Sequence, residues 1–275
     1  MSILPVSKFA NQLVEANQYL KHFKFPFDGQ RQIYPDRYSG ILPKETVKEI
    51  VNNTYYLTWS QIYQGIRKQV QEFEPTTEFY IYIPNQGLKS ELVMLAATWD
   101  LWQDKLPTGF MFGIPTDLKF KEMTVVFLDD WSLTGVSQTC IIDDLTYSNK
   151  NIKFEFEILT PYMTTDAVDR ISDITKHLKC IIDTINVHIG TVSDEWYNKN
   201  ILFTHLTFGE RPHKKISELS EEIGNNDFFC IYSDIKITDS CCCPRKFYLQ
   251  TVDPPPFNIK QELEQFFPNL KSSEM

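Results

Sequence analysis

Apolar residues at Phe9, Leu13, Ala16, Leu20 and Phe23 recur every three or four positions, which predicts one amphipathic helix that Pro26 and Gly29 bring to an end. The same spacing returns at Val47, Val51, Tyr55, Trp59, Ile62, Ile66 and Val70. Pro43 suits a first turn and Pro75 lies past the end, so a second, longer helix is expected between them. From residue 79 the pattern changes to short apolar runs, Phe79–Ile83, Phe110–Ile114, Thr124–Leu128, Ile152–Leu159 and Ile185–Ile189, the mark of strands covered on both faces. Helical patterns lie between them at 90–103, 137–146 and 165–182, the last with Val168, Ile171, Ile174, Leu178 and Ile181 on one face. Strands alternating with crossover helices predict an α/β domain with a parallel sheet.

Beyond residue 190 the alternation weakens. Ile201–Phe208, Phe228–Ile235 and Lys246–Val252 read as further strands, with antiparallel pairing open to them, and Ile259, Leu263, Phe266 and Leu270 as a closing amphipathic helix. The expected organisation is a helical N-terminal extension over 1–75, an α/β core over 76–190 and a C-terminal α+β addition over 191–275 packed on the core.

Composition narrows the function classes. With 42% hydrophobic and 23% charged residues, the chain has the balance of an ordinary globular protein. Its 27 basic against 36 acidic residues leave a formal charge of −9, which argues against a nucleic-acid partner, since that affinity comes from clustered Lys and Arg. No apolar run approaches the ~20 residues that span a bilayer, and Met1–Val6 lacks the basic and apolar regions of a signal peptide. No membrane partner and a cytoplasmic location are therefore expected. Six cysteines, at 140, 180, 230, 241, 242 and 243, are too sparse for a disulfide scaffold. Cys241, Cys242 and Cys243 lack the spacing of structural zinc ligands, and adjacent side chains in a strand point to alternate faces. His205-Leu206-Thr207 is one half of a paired His-x-Thr arrangement whose other half is missing. Glycine is scarce at ten residues in 275, so each glycine in a loop carries weight.

The most informative stretch runs Thr124-Val125-Val126-Phe127-Leu128-Asp129-Asp130-Trp131-Ser132-Leu133-Thr134-Gly135-Val136-Ser137. A buried strand gives way to two carboxylates, then to a loop of small and hydroxylated residues that opens a helix. Open α/β sheets place their ligands at such strand ends. Free backbone N–H groups and the positive end of a helix dipole favour a phosphate there, and Gly135 leaves the backbone bare. An ATPase reading of Phe127–Asp130 fails because no phosphate-binding Gly-x-x-x-x-Gly-Lys-Ser/Thr loop lies upstream. A second strand–loop–helix unit comes earlier: Phe79–Ile83 runs into Pro84-Asn85-Gln86-Gly87-Leu88-Lys89-Ser90, which supplies bare backbone, a positive charge and a hydroxyl donor.

The string from Thr124 to Ser137 resembles the phosphoribosyl diphosphate signature of the type I phosphoribosyltransferase family, in which hydrophobics precede two acids and a short loop ending in Thr-Gly. The resemblance covers roughly 79–190 and is sharpest over 124–137. It implies a Rossmann-like parallel sheet with the helical N-terminal extension and C-terminal α+β addition set around it. It implies that Asp129 and Asp130 approach the ribose hydroxyls, directly or through magnesium-bound water, as the catalytic acids and water-mediated metal ligands. Ser132, Leu133, Thr134, Gly135, Val136 and Ser137 would wrap the 5′-phosphate, and Asn85, Gln86, Gly87, Leu88, Lys89 and Ser90 the pyrophosphate. Magnesium is the implied cofactor. The expected partners are phosphoribosyl diphosphate and an acceptor base or nucleophile that the residues do not specify; a homodimer is one assembly open to such a chain.

Trp131 stands where the family usually has a smaller residue, and Val136 where it often has glycine. The family's mobile loop has as counterparts here only Asp104–Pro107 and Pro115–Glu122, with Lys105, Lys119 and Lys121, and its acceptor-selecting loop would be Thr160-Pro161-Tyr162-Met163. A non-catalytic relative that binds phosphoribosyl diphosphate or a nucleotide as a sensor or scaffold, including an accessory protein of a conflict system, would carry the same loops.

Overall fold

Uninterrupted apolar runs need cover on both faces, and the sheet they build has it. The computed structural model describes residues 3–23, 33–39, 44–45, 48, 54–85, 88–116, 118–132, 135–163, 165–177, 182–191, 230–233 and 258–268. Two compact units are distinguished. One comprises Met1–Lys24, Ile62–Val192 and Ile259–Met275, and the other Phe25–Gln61 and Ser193–Asn258.

In the first unit the strands are β1 (Ile3–Leu4), β3 (Phe79–Ile83), β4 (Gly109–Phe112), β5 (Glu122–Leu128), β6 (Lys153–Tyr162) and β7 (Ile182–Thr191), with β2 (Thr54–Leu57) and β8 (Cys230–Ser233) in the second. The sheet order of the first unit is β1-β4-β3-β5-β6-β7. Its last five strands are mutually parallel, and the two-residue β1 is antiparallel to β4 at the edge. Chain order therefore reverses between β3 and β5, which makes their carboxyl ends the switch point where open α/β sheets bind ligands.

The helices are α1 (Ala10–His22), α2 (Trp59–Glu72), α3 (Ser90–Thr98), α4 (Val136–Ser148), α5 (Thr165–His177) and α6 (Ile259–Leu263). Alternate strand residues face opposite ways, so Tyr80, Tyr82, Val125, Phe127, Phe154, Phe156 and Ile158 share one core with Ile142 and Leu145 of α4 and Ala167 and Ile171 of α5. The opposite face sets Phe79 against Phe73 and Trp102, and Phe110 against Phe9 and Trp99, at ring separations of 5.6, 5.8, 6.2 and 6.0 Å. α3 is buried almost all round, as expected of a helix held between sheet and helix, and it packs on α1.

The predicted long helix of 43–75 is interrupted: Lys44, Glu45 and Lys48 are helical, but a strand over Thr54–Leu57 separates them from the helix that follows. Thr54-Tyr55-Tyr56-Leu57 pairs in parallel with Cys230–Ser233, not antiparallel, and α2 begins only at Trp59. Thr58 and Gln61 cap its start reciprocally: the Gln61 amide donates to the Thr58 hydroxyl at 3.2 Å, and the Thr58 N–H to Gln61 Oε1 at 2.9 Å. Trp59, Ile62, Ile66 and Val70 keep the expected buried stripe. β6 runs on to Tyr162, so Thr160-Pro161-Tyr162 is strand and not the acceptor loop expected there. Val47, Val51, Ile201–Phe208, His205, Cys241–Cys243, Lys246–Val252 and Leu270 lie outside the described residues.

The expected mobile interval is tied down. Lys105 donates to the carbonyls of Val70, Gln71 and Phe73, placing its cation at the C-terminus of α2 where the helix dipole favours it. Asn149, just past α4, donates to Pro115 O at 2.8 Å and accepts from Leu118 N at 3.3 Å.

Two packing details give expected outcomes. Gly65 of α2 lies against Pro161 of β6, where an added Cβ would stand 2.5 Å from the Pro161 Cβ. Gly65→Ala in an isolated helix stabilises by about 0.5–1 kcal/mol, but here a rigid ring blocks the methyl, and a net loss of about 1–3 kcal/mol is expected in urea melts.

Asp100 receives Arg67 on both oxygens at 2.7 and 2.9 Å, Lys21 at 3.0 Å and Asn17 at 3.0 Å. Burial opposes ionisation of Asp100, but the hydrogen bonds from Arg67 and Lys21 outweigh it and hold the carboxyl well below its usual range. A depressed folded value means stability that is present above the unfolded pKa of about 3.9 and lost as pH falls below it. Urea midpoints should therefore drop on acidification below pH ~4, and Asp100→Asn should remove part of that slope and cost about 2 kcal/mol at neutral pH.

Candidate functional site

The apolar run of β5 ends at Leu128, and the chain turns immediately. Asp129 N still donates to Leu159 O at 3.1 Å, so the ladder with β6 fixes the first acid at the sheet edge. The Asp130 amide then donates back to Asp129 Oδ1 at 2.9 Å, and the Trp131 amide to Asp130 Oδ1 at 3.0 Å. Short acidic side chains bonded to the next amide are a turn device, and they hold the two carboxylates in different settings. Asp129 is half-buried at the strand end, while Asp130 is 0% exposed. Ser132 rejoins the sheet, donating its amide to Tyr162 O at 2.9 Å and bridging Met163 in parallel. Trp131 is buried, so its bulky ring is taken up by the core.

Gly135 is the N-cap of α4 at φ +66°, ψ 0°, the left-handed region open to glycine at little cost. A Cβ there would stand 2.9 Å from Ala167 O and 3.2 Å from Ala167 Cα, so α5 also requires the glycine. Across the switch point, β3 leads through Pro84 and Asn85 to Leu88, Lys89 and Ser90, with Lys89 as the N-cap of α3. Neither N-cap residue supplies a side-chain cap, and both helices start at the carboxyl edge of the sheet, where the positive ends of their dipoles lie.

The two loops touch. Ser90 Oγ donates to Asp129 Oδ1 at 3.1 Å, joining the start of α3 to the end of β5. On the other carboxylate oxygen, Gln138 Nε2 donates to Asp129 Oδ2 at 2.6 Å, and Gln138 Oε1 accepts from Ser132 Oγ at 3.1 Å. A continuous chain Ser90–Asp129–Gln138–Ser132 thus crosses the site. Lys89 brings positive charge to its upstream side. The hydroxyl of Tyr82, a core residue of β3, is pushed up to about 12 by burial and by the charges of Glu91 and Asp144.

No family profile and no curated protein matches the chain. Among solved structures, a purine phosphoribosyltransferase from Pyrococcus horikoshii Ot3 overlaps 50% of this chain and 93% of its own at 18% identity, with a TM-score of 0.29. A hypoxanthine-guanine-xanthine phosphoribosyltransferase overlaps 50% of this chain and 85% of its own at 15% identity, with a TM-score of 0.28.

Of the residues singled out from sequence, Asn85, Leu88, Lys89 and Ser90 follow β3, while Asp129, Asp130, Ser132, Gly135, Val136 and Ser137 follow β5. Gln86, Gly87, Leu133 and Thr134 lie outside the described residues. Gln138 was not anticipated. Its signal is positional: three residues past the N-cap Gly135 it occupies the place from which a Glu or Gln side chain reaches back to the preceding loop.

For a divalent cation, Asp129 offers the accessible carboxylate. Among the described residues no cluster of three or more His, Cys, Asp or Glu side chains could hold a metal ion. One carboxylate suits magnesium, which keeps several waters and takes further oxygens from a substrate's phosphates. No helix among the described residues is long and apolar enough to cross a membrane.

Proposed function

We propose that the chain binds phosphoribosyl diphosphate at the β3/β5 switch point and acts as a phosphoribosyltransferase. The observation that carries this reading is the Ser90–Asp129 hydrogen bond, because it puts the pyrophosphate-type loop and the acidic strand end within one ligand's reach. The start of α4, with its dipole and the Ser137 hydroxyl, suits the 5′-phosphate, and the start of α3 with Lys89 suits the pyrophosphate. Asp129 faces the ribose hydroxyls between them, and magnesium, arriving with the ligand's phosphates, would neutralise their charge.

In the transfer, the bond from ribose C1 to the pyrophosphate oxygen breaks and pyrophosphate leaves with the electron pair. A ring nitrogen or other nucleophile forms the new bond at C1 and gives up its proton to solvent. Lys89 and the α3 amides would stabilise the leaving charge, and Asp129 the positive sugar. A second reading, binding without transfer, is favoured by one observation: Asp130 is fully buried, so Asp129 alone faces the ligand.

Ligand-dependent melting tests the binding. Phosphoribosyl diphosphate with magnesium, at about a hundredfold excess over its Kd, should stabilise by about 2.7 kcal/mol and raise the melting temperature by several degrees. An unchanged melting temperature at millimolar ligand contradicts the proposal. Release of pyrophosphate in a screen of purine and pyrimidine acceptors separates transfer from binding alone.

A further inference from the structure

Gln138 is 5% exposed, sits on the first turn of α4 and spends both ends of its amide on the site. A buried amide normally satisfies itself on nearby backbone. Here the donor end goes to Asp129 Oδ2 at 2.6 Å, a short charge-assisted contact, and the acceptor end goes to the Ser132 hydroxyl at 3.1 Å. Ser90 fixes Oδ1 from the other side. The Asp130 amide also donates to Oδ1, so Oδ1 carries two bonds and Oδ2 is held by Gln138 alone, which makes Gln138 the side chain that sets the orientation of the outer carboxylate oxygen. We infer that Gln138 is a positioning residue: it orients the Asp129 carboxylate toward the ribose hydroxyls and ties it to the phosphate loop through Ser132.

This inference rests on the proposed binding of phosphoribosyl diphosphate, and it makes a distinction that a purely structural role does not. Asp129 serves the ribose, so loss of Gln138 should weaken ligands that carry the sugar and spare those that do not. Gln138→Met keeps the length of the side chain and removes both hydrogen bonds. Its affinity for phosphoribosyl diphosphate with magnesium, measured by calorimetry, should fall about tenfold to a hundredfold, the loss expected when a charge-assisted hydrogen bond no longer fixes its acceptor. Its affinity for inorganic pyrophosphate with magnesium should stay within about twofold, which is less than the scatter between contexts of a single such contact.

Gln138→Glu, of nearly identical shape, places a carboxylate against Asp129 and should lose the sugar ligand at least as strongly, again sparing pyrophosphate. It supplies the same comparison where the methionine variant fails to fold. Equal weakening of both ligands, or no weakening of either, overturns the positioning role and leaves the proposed function standing. A wild-type protein that binds no phosphoribosyl diphosphate overturns both.

Discussion

Gly135→Ala is expected to cost about 3 kcal/mol, the largest stability loss of any single methyl at the site. Two independent costs meet there. At φ +66° an L side chain is disfavoured by roughly 1–2 kcal/mol, and the added Cβ lies 2.9 Å from the Ala167 carbonyl oxygen and 3.2 Å from its Cα. Those atoms are backbone in the first turn of α5, so relief means moving one helix against another, an overpacking cost of typically 1–3 kcal/mol. For a unit of this size the melting temperature should fall by roughly 6–12 °C. Thermal melts of the variant and wild type decide it: a change of a degree or less would mean that the loop before α4 does not have the described conformation. The substitution should also weaken phosphate binding, since the displaced backbone is the start of α4.

Asp129→Asn should do the opposite, keeping the fold and losing the ligand. The neutral side chain can still receive Ser90 on one atom. On the other, Gln138 can turn its amide over, because Ser132 Oγ accepts as readily as it donates. The network survives, the negative charge does not, and the charge-assisted contact proposed between Asp129 and the ribose would become a neutral one. A loss of about a hundredfold in affinity, about 2.7 kcal/mol, is expected with the melting temperature nearly unchanged. Asp130→Asn should behave differently. Its carboxylate is sealed inside the turn and holds the Trp131 amide, so the change should register in stability more than in affinity.

Much of this architecture is legible in the chain. Phe79-Tyr80-Ile81-Tyr82-Ile83 and Val125–Leu128 are short continuous apolar runs rich in β-branched and aromatic residues, which suit a strand covered on both faces, and both are strands. Their loops are rich in small and polar residues, which is why the strand ends stood out. The strand Thr54–Leu57 was hidden because Tyr55, Trp59, Ile62, Ile66 and Val70 happen to continue at helical spacing across its end. The reciprocal Thr58–Gln61 cap marks the true helix start, and the β-branched and aromatic residues before it mark the strand. The end of β6 was hidden for another reason: Pro161 reads as a loop residue, yet it sits in the strand with Gly65 of α2 packed on it.

Within the site, residue types were readable and their division of labour was not. Nothing local separates Asp129 from Asp130; one is half-buried and the other sealed because the chain turns between them. Lys105 looked like a loop cation and is instead bonded to the last carbonyls of α2, a partner more than thirty residues upstream.

The Ser90–Asp129 junction at the β3/β5 switch point is the proposed phosphoribosyl diphosphate site. Calorimetric titration of that ligand in the presence of magnesium, into wild type and Asp129→Asn side by side, tests it most directly. Saturable binding by the wild type, weakened about a hundredfold in the variant, is the predicted result. No heat of binding in the wild type, or equal affinity in the two proteins, would contradict it.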